Sequence, residues 1–147
     1  MTIESKPYGS IEISERQVIH FPVGIFGFEF LKEYALLDAT QRGFYWLQSL
    51  EKPEIAFILL NPYELRSDYV LDIADEDLES IRYETEDDLL VFAIVTIPED
   101  PTLVSANLAG PVLMNRAHQL GRQCIQQSGS WRTKHLLQEE LARAGGS

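Results

Sequence analysis

Phe44-Tyr45-Trp46-Leu47-Gln48-Ser49-Leu50, then Glu51-Lys52-Pro53-Glu54, then Ile55-Ala56-Phe57-Ile58-Leu59-Leu60 read as two strands and the turn between them. Aromatic and branched side chains suit a pleated surface, and the proline-bearing tetrad suits a reversal. Pro62 ends the second strand, because it has no amide to donate to a ladder. Leu89 to Ile97 is the longest run of this kind and is predicted to be a central strand. Further strands are predicted at Tyr8–Ile13, Val18–Phe21, Leu36–Ala39, Leu103–Ala106, Val112–Asn115 and Gly121–Gln126, with Ser14–Gln17 turning between the first two. Eight or nine short strands, with turns every 8–12 residues, predict an all-β barrel or sandwich.

Helical signal is thin. Asp75-Glu76-Asp77-Leu78-Glu79-Ser80-Ile81 offers an Asp N-cap and acids in the first turn, where they complement the helix dipole. Thr133 to Ala144 places Leu137 and Leu141 four apart, so the tail, residues 134–147, is predicted to be a short amphipathic helix.

The chain has 147 residues, 45% hydrophobic and 24% charged, which predicts one domain spanning 1–147. A domain of that length buries about 68–70% of its unfolded surface and needs no metal or disulfide. No apolar run reaches the roughly 20 residues that span a bilayer, and Met1–Pro7 lacks a basic-then-apolar leader. With a single cysteine, Cys124, these features predict a cytoplasmic protein with no membrane partner.

Twenty-three acids against twelve Lys and Arg give a net charge of −11. Residues 64–100 alone hold thirteen acids and only Arg66 and Arg82, which also sums to −11; the flanking segments cancel at −3 and +3. Such a surface repels a nucleic-acid backbone, whose binding rests on Lys and Arg. It attracts basic proteins by long-range steering, or it is a solvated face that keeps the protein soluble. The strong net charge predicts a monomer when free.

Catalytic and cofactor chemistry is not indicated. His20, His118 and His135 sit at no metal-ligand spacing, and the acid clusters lack the Asp/Asn alternation and turn glycine of a calcium loop. Gly24-Ile25-Phe26-Gly27 lacks the third glycine and the lysine of a phosphate loop. Cys124, beside Ile125 on a predicted strand, reads as a buried inert thiol.

Two segments suggest protein contact. Phe21-Pro22-Val23-Gly24-Ile25-Phe26-Gly27-Phe28-Glu29-Phe30 places four Phe and an Ile in a loop. Phe21 and Phe28 are expected to plug a barrel end, and Ile25 and Phe26, with Glu29, to face a partner. Asn107 to Asn115 is broken by Gly110-Pro111, and a strand that breaks and resumes offers an edge for strand addition, with Asn107, Pro111, Val112 and Asn115 as contacts. Asp75, Asp77, Glu86 and Asp88 are the acidic candidates.

Phe21-Pro22-x-Gly24-x-x-Gly27-Phe28-Glu29, Leu47-Gln48-Ser49 with Pro53 and Ala56-Phe57, Asn61-Pro62, Val95-Thr96-Ile97-Pro98, Asn107-Leu108-x-x-Pro111 and Gly121-Arg122-Gln123 follow in order. Together, over Gly9 to His135, they make the chain resemble the flagellar assembly factor FliW family. The resemblance implies a small antiparallel β-barrel with one or two short helices and a non-enzymatic partner switch. Such a protein binds the RNA-binding regulator CsrA, relieves its repression of flagellin translation, and is titrated away by flagellin. A flagellin chaperone with no regulatory role, or an acidic mimic of nucleic acid, are the alternative readings.

Overall fold

The computed structural model describes residues 1–145. The strands are β1 (Thr2–Ser5), β2 (Gly9–Glu12), β3 (Val18–His20), β4 (Glu33–Asp38), β5 (Phe44–Ser49), β6 (Ala56–Leu60), β7 (Leu89–Thr96), β8 (Ser105–Ala106), β9 (Val112–Asn115), β10 (Leu120–Gln123) and β11 (His135–Leu136). Helices are α1 (Pro62–Leu65), α2 (Asp75–Ser80) and α3 (Leu137–Gly145). Single 3₁₀ turns occupy Glu15–Gln17, Glu86–Asp88 and Pro101–Leu103.

Seven strands close a ring in the order β7-β6-β5-β4-β3-β10-β9, with β9 returning to pair with β7. Closure removes the edges that an open sheet would leave. The ring is antiparallel except between β3 and β10, which run parallel with Leu120 opposite His20. β7 is long enough to serve two partners on one side. Its first half, Leu89–Phe92, pairs with β9, while Val95 and Thr96 pair with β8, to which β11 is added.

Alternation sends Tyr34, Leu47, Leu59, Phe92, Val112 and Met114 into the barrel, where Ile19, Phe21, Ile25 and Leu31 meet them. The opposite face of the same strands is also apolar, so the wall needs outside cover. The β1–β2 hairpin covers Ala35 and Leu37 with Ile3 and Ile13. Leu65, Tyr69 and Leu108 cover Leu60, Ala93 and Val95. Ile73 and Ile81 cover Leu113 and Cys124.

The sequence motifs are largely the polar fasteners of this arrangement. Buried Gln48 accepts from Lys6 N (2.8 Å), and its amide reaches the carbonyls of Ser49 and Pro53 (both 2.9 Å) inside the β5–β6 turn. Ser49 Oγ accepts from Lys52 N (3.0 Å), and Asn61 caps α1 by accepting from Tyr63 N (2.9 Å). His135 accepts Arg132 N at Nε2 (2.9 Å) and faces Glu140 across 3.1 Å. Arg66 reaches Glu140 at 3.4 Å while its guanidinium lies 4.9 Å over Trp131, joining α3 to the segment after α1.

The predicted strands in the middle of the chain stand within a residue or two of those observed. Several expectations are corrected. Ser14–Gln17 is the expected turn, closed by a capping box, and it carries the chain from the β1–β2 hairpin into the barrel. β1 and α1 are additional elements, so there are three helices where one or two were expected. Ala74, not Asp75, is the α2 N-cap, and no side chain caps it. The predicted tail helix begins three residues late, because His135 and Leu136 pair with β8; positions 146 and 147 of that tail lie outside the described residues.

Gly121 shows how tightly the barrel is filled. A Cβ there would lie 2.5 Å from Phe21 Cζ, inside a ring that has no room to rotate away. Gly121→Ala is expected to destabilise the protein by about 1–3 kcal/mol. Gly129→Ala, which would meet nothing within 4 Å, is expected to stay within about 0.5 kcal/mol of the parent, and urea unfolding of both variants measures the two values.

Candidate functional site

The loop between β3 and β4 corks one end of the barrel. Gly24 (φ +71°) and Gly27 (φ +87°) take backbone that other residues rarely adopt, and Gly24 lies so close to Glu29 that a Cβ would sit 2.6 Å from its Cα. Phe28 N donates to Ile25 O (2.7 Å), closing a tight turn in which Ile25 and Phe28 bridge. Bridged residues share a face, so both point inward and the turn tip points out. Ile25 is therefore a core residue, 1% exposed, which corrects its expected place on the surface. Phe26 is 51% exposed, and Phe30, the one Phe of the loop to which the sequence assigned no place, is 60% exposed with Lys52 Nζ 5.4 Å from its ring. Glu29 is exposed and accepts from Gly27 N (2.7 Å). With Val23, these side chains form an apolar patch on the corked end.

The Asn107–Asn115 segment is not an open edge. Leu108 N and Ala109 N donate to Arg132 O, Gly110 N to Asn107 Oδ1 (2.8 Å), and Cys124 N to Pro111 O (2.8 Å). Gln123 donates to Gly110 O (3.0 Å) and accepts from Phe26 N (3.1 Å), tying this turn to the Phe loop. Val112 and Asn115 lie in β9, flanked on both sides by β7 and β10. Pro111, Val112 and Asn115 are buried and Asn107 half-buried, so the strand-addition expectation is withdrawn. The break that suggested a free edge is a chain reversal whose backbone groups are already paired.

The acidic segment lies along the outside of the wall. Ile73 and Ile81 anchor it on Leu113, and its charges are left outward. α2 ends in a Schellman motif, with Tyr83 N donating to Leu78 O (3.0 Å) and Arg82 N to Glu79 O (2.9 Å). Arg82 holds the left-handed position (φ +59°) that glycine usually fills. Asn115 bolts this bend to the barrel. Its amide donates to the carbonyls of Ile81 (2.9 Å) and Arg82 (3.0 Å), and its oxygen accepts from Ala117 N (3.0 Å).

Asp75 and Glu86 are exposed on this face. Asp77 is half-buried and paired with Arg122 at 3.2 Å, and Asp88 is half-buried at the far end of the segment. Between the segment and the wall runs a cleft of 480 Å³ whose apolar floor includes Leu78, Leu89 and Val91. Tyr63 and Tyr83 flank it, with Asp72 and Glu86 at its rim. Burial, and secondarily Glu86, raises the Tyr63 hydroxyl above its usual range. The two tyrosines were not singled out from the sequence; only their place among the acids could have drawn attention to them.

Cys124 is 1% exposed, and burial pushes its thiol up to about 12, so it stays protonated at neutral pH. Among the described residues, no three His, Cys, Asp or Glu side chains gather in metal-binding geometry, and no helix is long and apolar enough to cross a membrane.

The architecture is that of a small closed seven-stranded β-barrel carrying an acidic covering segment with a cleft beneath it. The chain belongs to the FliW family: the family profile described as "FliW protein" matches residues 2–137. It is 43% identical over 145 residues to "Flagellar assembly factor FliW" of Treponema denticola, covering 99% of each chain. It is 39% identical over 142 residues to the protein of that name from Treponema pallidum, covering 97% of this chain and 95% of the relative. A solved structure described as "Crystal structure of the flagellar assembly factor FliW" superposes with a TM-score of 0.85 at 33% identity, covering 93% of this chain and 96% of that one.

Truncating the bolt tests how the acidic segment is held. Asn115→Ala leaves the buried Ile81 carbonyl and the partly buried Arg82 carbonyl without their donor and is expected to cost about 1–3 kcal/mol. Hydrogen exchange should quicken selectively over residues 75–84, while β5 and β6 keep their protection. Uniform loss of protection across the barrel would contradict this division.

Proposed function

We propose that this chain is a cytoplasmic flagellar assembly factor that acts by binding other proteins. It captures a CsrA-type RNA-binding regulator and so relieves repression of flagellin translation. Flagellin competes for it, which couples translation to the supply of free subunit. The observation that carries the reading is the acidic segment: thirteen acids against two arginines over residues 64–100, with its apolar residues turned to the barrel and its charge outward.

A regulator that holds RNA must present Lys and Arg to phosphates. An acidic surface beside it lowers its affinity for RNA, provided the surfaces nearly touch, since charge interactions are largely screened beyond about 8 Å at physiological salt. The 480 Å³ cleft supplies the apolar contact that charge alone lacks, with Tyr63 and Tyr83 as aromatic anchors. The acids set the encounter rate, and the cleft sets the residence time.

The exposed patch of Val23, Phe26 and Phe30 favours a second reading, a chaperone that shields apolar surface of flagellin. In that reading the acidic segment contributes nothing to activity.

Replacing Asp75, Asp77, Glu86 and Asp88 together by their amides separates the two. The account expects association with a purified CsrA-type regulator to slow roughly tenfold at low salt, with a flattened salt dependence. Displacement of RNA should weaken in parallel. Unchanged association and displacement would rule out the electrostatic mechanism and leave the chaperone reading.

A further inference from the structure

The two ends of the barrel are built differently. The β3–β4 loop corks one end with Phe21, Ile25 and Leu31. The other end opens into a cavity of 610 Å³, within the range of about 300–1,000 Å³ typical of small-molecule sites, for which barrel mouths are a common location. Its floor is made by inward-facing Ile19, Leu36 and Leu90, the last two only half-buried. These are interior residues that, among the described residues, no segment covers as the outer wall is covered.

The rim has the opposite charge from the rest of the molecule. Arg16 and Arg116 line it against one carboxylate, Asp88, in a chain whose net charge is −11. Among the described residues neither arginine forms an ion pair. The backbone of Arg16 and the guanidinium of Arg116 are fixed in place. Arg16 stands on the 3₁₀ turn that Ser14 and Gln17 close, and Arg116 Nη2 donates to Asp87 O (2.6 Å).

Gln119 stiffens the mouth. It occupies left-handed backbone (φ +54°), an unfavourable conformation that its surroundings must impose. Its amide donates to Glu15 O and Val18 O, both at 2.7 Å, clamping the β9–β10 turn across the opening to the start of β3. A rigid rim with an apolar floor loses little freedom when a ligand enters.

The geometry points to the open mouth of the barrel as a binding site for a small anionic amphiphile, a short alkyl chain carrying a carboxylate or phosphate. The chain lies on Ile19, Leu36 and Leu90, and the head is held by Arg16 and Arg116. This site meets the acidic segment only at Asp88 and is independent of the regulator-binding reading.

The test is titration of the purified full chain with sodium decanoate, decyl phosphate and neutral decyl maltoside, each below its micellisation concentration. Methyl NMR follows the floor residues, with Leu60, Leu65 and Leu137 outside the barrel as references. Saturable shifts at Ile19, Leu36 and Leu90 are expected with the anions, and the neutral amphiphile should bind at least tenfold more weakly. Binding by both anions would define the head by charge alone; binding by one would select its chemistry. Arg16→Glu, at a side chain that makes no hydrogen bond or ion pair among the described residues, should weaken anion binding at least tenfold with unchanged thermal midpoint. Ala117→Trp at the exposed rim should block entry. Absence of saturable shifts, equal binding of the neutral amphiphile, equal shifts at the reference leucines, or indifference to Arg16→Glu would overturn the assignment.

Discussion

Closure of a barrel whose strands are apolar on both faces is the constraint on which the rest of this molecule depends. The inside fills itself, with Tyr34, Leu47, Leu59 and Phe92 meeting across a narrow lumen. The outside cannot do the same, and each apolar stretch of wall must borrow a cover from a connection. The β1–β2 hairpin, the segment running from α1 through α2, and the turn around Leu108 are those covers. At about 25 cal/mol per Å² of apolar surface removed from water, such covers are part of the core and not decoration.

This division of labour explains where the charge lies. A cover has one face for the wall and one for solvent, so Ile73, Leu78 and Ile81 turn inward while the acids between and beyond them turn out. Net charge becomes a directional surface because the segment is bolted at its bend by Asn115 and pinned by the Asp77–Arg122 pair. The same logic assigns the recurring motif residues to architecture. Gly121 makes room for Phe21, Gln123 ties the Phe loop to Gly110, and Gln48 threads the β5–β6 turn. They place the contact surfaces without being those surfaces.

The strands from Phe44 to Leu60 and at Leu89–Thr96 were legible because a wall apolar on both faces writes long apolar runs between turn residues. β1 and β11 were not, because four and two residues of mixed character acquire strand geometry only from their partners β2 and β8. The short sequence signal at Asn107–Asn115 identified a break correctly and its consequence wrongly, since the groups that pair it, on Arg132, Gln126 and Gln123, lie elsewhere in the chain. Ile25 was misplaced for a similar reason. A loop read as irregular closes a bridged turn, which alternates its side chains as a strand would. The acidic segment was visible as composition, but the cleft beneath it was not, because Tyr63, Tyr83 and Val91 meet there only through the fold.

The proposal at the centre of this account is that an acidic, barrel-mounted surface takes a translational repressor from RNA and releases it again when flagellin binds in its place. The most direct measurement loads a CsrA-type regulator with fluorescent flagellin-leader RNA, adds this protein, and then adds flagellin while anisotropy is followed. The account predicts that RNA is released on the first addition and rebound on the second. Anisotropy that stays constant through both additions would contradict it.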